Sequence, residues 1–215
     1  MGITIRPATP EDAWFVAWIM LAAGRSHLDR GFWDHYVDGT EEACLAFLRL
    51  VVLTESPHPF HYSIFTIAEE DGRPLAGLSG YDPAVLGIDK YLEALPGVFE
   101  KAGWTDEDQG NAFNRITPFL TCIPEDAQDV WIVESVAAVP GARRRGITTM
   151  LLKEMVNRGR LDGFRRGQIS VLIGNDPARK AYEKCGFRFA DEKRDPSFET
   201  TFGSPGITRL LMEFS

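Results

Sequence analysis

Apolar positions along the chain change period several times, and each change predicts an element. ITIR (3–6) alternates and predicts a short strand. TPED follows, with Thr9 placed as an N-cap, Pro10 at the first helical position and Asp12 three residues after the cap. Trp14, Phe15, Trp18, Ile19 and Leu21 give the resulting helix, about 10–23, an apolar face, and Gly24 is expected to stop it. A second helix is predicted over about 41–53, with Cys44, Leu45, Leu48 and Val51 or Val52 inward. YSIFTIAE (62–69) and LAGLSGY (75–81) read as two strands of a hairpin turning at EDGRP.

Residues 83–128 have another texture. Pro96, Gly97, Gly103 and Gly110 interrupt helical pieces that carry scattered aromatics (Tyr91, Phe99, Trp104, Phe113, Phe119). DVWIVESVAAV (129–139) is then a strong strand, 146–161 a helix, QISVLIG (168–174) a strand and about 177–185 a short helix. Strands at 187–193 and 207–214 close the chain. The order is one strand, two helices, a hairpin, an insertion, then β-α-β-α-β-β. That order predicts an α/β (α+β) fold with a mixed central sheet, helices on both faces and a helical insertion before the central strand. One domain over 1–215 is expected, with the insertion at about 83–128.

Composition narrows the classes. Of 215 residues, 44% are hydrophobic and 25% charged, an ordinary globular balance able to bury a sizeable core. Cys44, Cys122 and Cys185 are too widely spaced for a zinc pattern or a disulfide framework, which points to a reducing cytoplasm. No basic-then-apolar leader opens the chain, and the longest apolar run, Ala13 to Ala23, is about half of what spans a bilayer. The expectation is therefore no metal and no membrane. An acidic pI, near 5.1, argues against nucleic-acid binding.

The charge is unevenly distributed. Net charge is −8, yet residues 143–166 hold eight Arg or Lys against two acids, a local +6 that leaves −14 elsewhere. Either this is a solvated basic helix face or it serves an anion. The flanking residues favour the anion. Strand 129–139 runs into Pro140-Gly141-Ala142, then Arg143, Arg144, Arg145 and Gly146, where a helix begins. A helix N-terminus offers unsatisfied N–H groups and partial positive charge. Gly146 removes a Cβ that would block a phosphate, and the arginines add forked donors. Distant acids are screened beyond roughly 8–10 Å, so they do not exclude the anion.

The stretch is neither a P-loop nor a dinucleotide fingerprint. A strand, Arg-x-x-Gly-x-Thr and an apolar helix (Met150, Leu151, Leu152, Met155, Val156) resemble the pyrophosphate loop of the GNAT superfamily of N-acetyltransferases. Arg143 and Gly146 match that pattern, and Thr148 departs from its last small position. A second segment, Asn175-Asp176-Pro177-Ala178 through Tyr182 to Gly186-Phe187, resembles the family's Asn-x-x-Ala-x-x-x-Tyr-x-x-x-Gly-Phe at every anchor. On its own terms it is a helix capped by Asp176, opened by Pro177 and closed by Gly186. Asn175 and Tyr182, seven apart, project toward one side. The ends of the chain, ITIRPATPEDA and FGSPGITRLLMEF, also look like the family's, so the resemblance covers most of the chain outside 83–128.

The resemblance implies a mostly antiparallel sheet splayed between two strands and an acetyl-CoA-dependent N-acetyltransferase. A primary amine, as a small molecule or a peptide, would attack the thioester directly through a tetrahedral intermediate. It implies that Arg143, Arg144, Arg145, Gly146, Ile147 and Thr148 hold the diphosphate. Val136 and Ala138 would meet the pantetheine arm, Asn175 would bind that arm from the other side, and Arg179 would reach the other phosphate. Tyr182 would protonate the leaving thiolate, and the Val136 N–H would meet the oxyanion. A lysine-like amine, with pKa about 10.4, needs roughly 4–5 kcal/mol to lose its proton at pH 7, so a base is useful. Glu134, in an apolar strand, is the candidate; otherwise it faces solvent or pairs with a neighbouring strand. A non-catalytic acyl-CoA-binding or sensing module is the alternative on the same scaffold.

Other candidates are weaker. His27 and His35, with Asp29, Asp34 and Asp38, read as a polar interhelical loop bordering the acceptor site rather than a metal cluster. His58 and His61 read as structural, Ser135 lacks a nucleophile-elbow context, and Cys185 sits where an apolar helix residue would pack. Asp106, Glu107 and Asp108 read as helix N-terminal charges. The 83–128 segment either covers the sheet edge, makes a homodimer, or forms a lid over the acceptor.

Overall fold

The computed structural model describes residues 2–214. Among them are seven strands in one sheet, in the order β1-β2-β3-β4-β5-β7-β6. These are β1 (Thr4–Pro7), β2 (Phe65–Glu70), β3 (Arg73–Tyr81), β4 (Val130–Ala138), β5 (Arg166–Leu172), β6 (Arg188–Arg194) and β7 (Gly206–Glu213). Every neighbouring pair is antiparallel except β4 and β5, which run parallel. The mixed sheet expected from the element order is present, with the mostly antiparallel pairing that the resemblance implies. Asp71 and Gly72, both at positive φ (52° and 73°), make the tight β2–β3 turn whose twist suits a hairpin.

Helices cover both faces. On one face lie α1 (Ala13–Arg25), α2 (Phe32–Val37), α3 (Glu41–Val52), α4 (Ile88–Ala102) and α5 (Asp106–Leu120). They enclose a large core that includes Val16, Met20, Leu48, Phe65, Leu95 and Ile132. The opposite face carries α6 (Ile147–Leu161) and α7 (Asp176–Lys184), over a core of Leu78, Val133, Leu151, Leu152, Met155 and Phe187. A last helix, α8 (Pro196–Phe202), joins β6 to β7.

Several sequence expectations need correction. Gly24 does not stop α1, which continues through it to Arg25 before Ser26 turns to φ 59°. The buried face of α1 is Ala13, Val16, Ala17, Ile19, Met20 and Leu21. Trp14 is 55% exposed, with the Arg49 guanidinium 5.2 Å from its ring centroid. Residues 83–128 are not broken pieces; α4 and α5 are each continuous over fifteen residues despite Pro96 and Pro118. Burial of Tyr91, Leu95, Val98 and Phe99 on one side of α4 outweighs the hydrogen bond that a proline removes. The stretch read as an interhelical loop contains α2, and α8 escaped the sequence reading altogether. Its signals are nonetheless local: Asp195 caps, Pro196 opens, Gly203 closes at φ 74°, and Phe198 and Phe202 face inward. Asn175, not Asp176, caps α7: its side chain accepts from the Ala178 N–H.

Candidate functional site

β4 and β5 hold together only along Val130–Val133 and Arg166–Ile169. Beyond Val133 and Ile169 they part, because β4 carries an irregularity that β5 does not share. On β3 the register moves from Gly77↔Ala137 to Ser79↔Glu134, so Leu78 faces both Ser135 and Val136. Ser135 takes φ 52°, the backbone cost of that bulge. Past the bulge, the Val139 N–H donates to the Leu75 carbonyl (2.8 Å), toward β3. By strand alternation, Ala137 also bonds toward β3, while Val136 and Ala138 turn their backbone groups into the gap. These are the two positions expected to meet an extended ligand.

The gap opens into a cleft of about 990 Å³ that Glu134, Val136, Ala138, Arg143, Arg144, Gly146, Ile147, Thr148, Asn175 and Tyr182 all line. At one end lies the α6 N-terminus. Pro140–Ala142 form a 3-10 turn, Arg144 adopts φ 62°, and Gly146 caps the helix at φ 78°. A side chain at Gly146 would meet no atom within 4 Å, so the space before it is open to a ligand. The first intrahelical bond is Met150 N–H to the Gly146 carbonyl (3.1 Å). The N–H groups of Ile147, Thr148 and Thr149 therefore precede any helical acceptor and stand at the cleft. Ile147 contributes only backbone there, since its side chain is buried in the core.

The basic residues divide. Arg143 and Arg144 line the cleft, and Arg143 Nε also donates to the Ala138 carbonyl (3.3 Å). Arg145 turns to the outer side of the loop, where it pairs with Glu70 (2.7 Å). Arg179 is likewise outside the cleft lining, paired with Glu183 (2.9 Å) and lying over the Phe189 ring. Lys180 and Lys184, which sequence reading did not single out, line the cleft instead. Their i,i+4 spacing on α7 was the available signal. Together with Arg143 and Arg144 they make a cationic rim facing the open α6 N-terminus, a fit for a polyanionic tail.

At the other end, Glu134 lies on the α1 side of the sheet. The Tyr81 hydroxyl donates to Glu134 Oε2 (3.1 Å). Burial raises the carboxyl to a pKa of about 7; the Tyr81 bond lowers it and nearby Asp126 raises it further. The carboxyl thus pairs with a neighbouring strand, as one alternative held, and also borders the cleft. Burial raises the Tyr182 hydroxyl well above the usual tyrosine range, so it keeps its proton at neutral pH. Asn175 spends its side chain within the protein: Oδ1 caps α7 and Nδ2 donates to Ser26 Oγ (2.6 Å). That bond ties the end of α1 to the start of α7 and brings Ser26 and His27 to the cleft wall.

The remaining histidines are structural in their surroundings. His58 is fully buried between Thr54 Oγ1 (2.9 Å) and the Phe60 N–H (3.0 Å), and His61 bonds Ser63 and the Thr54 carbonyl. His35 packs on the Phe202 ring. Asp34 bonds Arg25 and the Gly31 N–H, knitting α2 to α1. Asp108 closes a capping box with Thr105 at the start of α5. Among the described residues, no three His, Cys, Asp or Glu side chains are grouped to hold a metal. No described helix is long and apolar enough to cross a membrane.

Comparison with known proteins agrees with this fold. The acetyltransferase (GNAT) family model matches residues 25–187. No curated protein sequence matches the chain. A solved acetyltransferase is similar at 20% identity, TM-score 0.71, over 99% of this chain and 100% of that one. An N-acetyltransferase from Staphylococcus aureus Mu50 is similar at 18% identity, TM-score 0.69, over 97% and 100%. PaiA N-acetyltransferase from Thermoplasma acidophilum, solved with coenzyme A, is similar at 12% identity, TM-score 0.53, over the whole of both chains.

Proposed function

The chain belongs to the GNAT acetyltransferase family, and from this we propose that it transfers the acetyl group of acetyl-CoA to a primary amine. The observation that carries the reading is the parting of β4 from β5 beyond Val133 and Ile169. That gap leaves the Val136 backbone and the Ala138 N–H turned toward an extended pantetheine arm that would add as a strand. It leads directly to the α6 N-terminus, where Arg144, Gly146 and the first-turn N–H groups receive the diphosphate. Acetyl-CoA supplies an activated thioester carbonyl. Arg143 straps the end of β4 through the Ala138 carbonyl and adds charge beside the phosphates. Lys180 and Lys184 complete the rim.

The chain's own residues then handle the protons. With a pKa of about 7, Glu134 is half ionised at neutral pH and takes a proton from the incoming ammonium, directly or through a water. Tyr81 holds that carboxylate in place. The amine nitrogen bonds to the acyl carbon, the carbon–sulfur bond breaks, and the thiolate takes the Tyr182 proton. The nitrogen sheds its second proton as the amide forms and that proton, passed through solvent, restores Tyr182, so the net release is one proton, the one Glu134 removed. The Val136 N–H, turned into the gap, meets the acyl oxygen as it gains charge.

The test is an acetyl-CoA-dependent thiol-release screen over a panel of primary amines, with calorimetry for acetyl-CoA itself. Tyr182→Phe is expected to slow turnover by roughly a hundredfold while acetyl-CoA affinity stays within about threefold. Tight acetyl-CoA binding with no acetylation across the panel would refute the catalytic reading.

A further inference from the structure

The two ends of the cleft differ in charge. All four cations that line it sit on the α6 loop and α7. The opposite wall is built from Ala22, Ala23 and Gly24 at the end of α1, Phe119 of α5, Leu172 at the end of β5 and Ile207 of β7. Among the lining residues Glu134 is the single acid. Apart from Glu134, this wall offers no charged carboxylate, Arg or Lys to pair with, and its polar side chains are the neutral Ser135 and Ser170 with the neighbouring Ser26 and His27.

Phe119 is not an isolated ring. Its centroid lies 4.8 Å from that of Phe32 and 5.3 Å from those of Phe198 and Phe202. Rings from α2 and α8 therefore back the Phe119 ring, which is the member of the cluster that lines the cleft. Such a ring favours another ring in offset or edge contact.

We infer that the acceptor is a small primary amine on an aromatic body, with neither a carboxylate nor a second cation. The ammonium goes to Glu134 and the ring to the Phe119 wall. An amino acid would bring its carboxylate to a wall without an Arg or Lys. A polyamine would bring a second ammonium for which no second acid waits. Either group would lose its water without gaining a partner. This inference rests on the acyl-transfer reading above.

The test compares 2-phenylethylamine with L-phenylalanine, which adds only a carboxylate, and with spermidine, each against acetyl-CoA at saturation. We expect kcat/KM for 2-phenylethylamine to exceed both by roughly thirtyfold or more. Equal or faster acetylation of L-phenylalanine or spermidine overturns this inference and leaves acyl transfer standing. No acetylation of any amine, with acetyl-CoA bound, overturns the acyl-transfer reading and this one with it. Phe119→Leu should lower kcat/KM for 2-phenylethylamine at least about fivefold more than for butylamine, with acetyl-CoA affinity unchanged. An equal loss on both amines would overturn the aromatic preference.

Discussion

Replacing Tyr81 by Phe removes one oxygen and leaves the ring in its core position, 8% exposed beside β4. The Glu134 carboxylate loses the one side-chain hydrogen bond that holds its pKa down against burial and against Asp126. A hydrogen bond to a charged group contributes roughly 1.5–3 kcal/mol, which at 1.36 kcal/mol per unit is about 1–2 pKa units. The carboxyl should therefore move upward from about 7, to about 8–9 on that arithmetic. At pH 7 its ionised fraction falls from about one half to about 1–10%, so kcat drops by roughly 5- to 50-fold. The loss is recovered as pH rises, because the variant needs only a more alkaline solution to ionise. The assay is kcat as a function of pH for wild type, Tyr81→Phe and Glu134→Gln with one accepted amine. The acidic limb should lie near 7 in wild type, move to higher pH in Tyr81→Phe and vanish in Glu134→Gln. A limb that stays in place in Tyr81→Phe, or survives in Glu134→Gln, would refute the assignment of the base.

Stability should carry the same signature. Glu134 holds its proton more tightly in the fold, at a pKa of about 7, than in the unfolded chain, near 4.3. Its contribution is full below about pH 4 and is lost as pH rises through 7, a swing of about 4 kcal/mol. Urea unfolding at pH 5 and pH 8 should show about 2.5 kcal/mol of that swing in wild type and a smaller difference in Glu134→Gln; identical differences would remove the buried-carboxyl account. Calorimetry should separate two neighbouring arginines. Arg144→Glu is expected to weaken acetyl-CoA roughly tenfold or more, and Arg145→Ala, which only breaks the surface pair with Glu70, by less than about threefold. Gly146→Ala forces a side chain to φ 78° with nothing packed against it, so the cost is conformational, about 1–2 kcal/mol. Its melting temperature should fall by roughly 2–8 °C, and acetyl-CoA should bind more weakly through the methyl placed at the phosphate seat.

Some features are written in short-range pattern, and these were legible from the sequence. The apolar run VWIV within 129–139, the hairpin turn at Asp71-Gly72 and the apolar stripe of 146–161 each specify an element through local sterics and apolar burial. The arginines before Gly146 marked an anion seat for the same reason, since a helix N-terminus is positive whatever surrounds it. The segment 175–187 was legible as a helix carrying Tyr182, although its cap proved to be Asn175. Two resemblances at fixed spacing then made the family readable from the residues alone.

Other features depend on contacts between segments far apart, and only the fold could decide them. Arg145 faces away because Glu70 on β2 is there to receive it, a partner 75 positions earlier. Glu134 became a group of pKa about 7 because the hairpin brought Tyr81 against it and the sheet buried it. The bulge at Ser135 opens the gap between β4 and β5, yet nothing in ESVAA marks a residue that must turn to positive φ. The α4 and α5 helices run through their prolines because tertiary burial outweighs local propensity. Phe119 faces the cleft only once α2 and α8 stack behind it. Periodicity records what each residue asks of its immediate neighbours; charge, proton affinity and shape at the cleft are set by neighbours that only folding brings near.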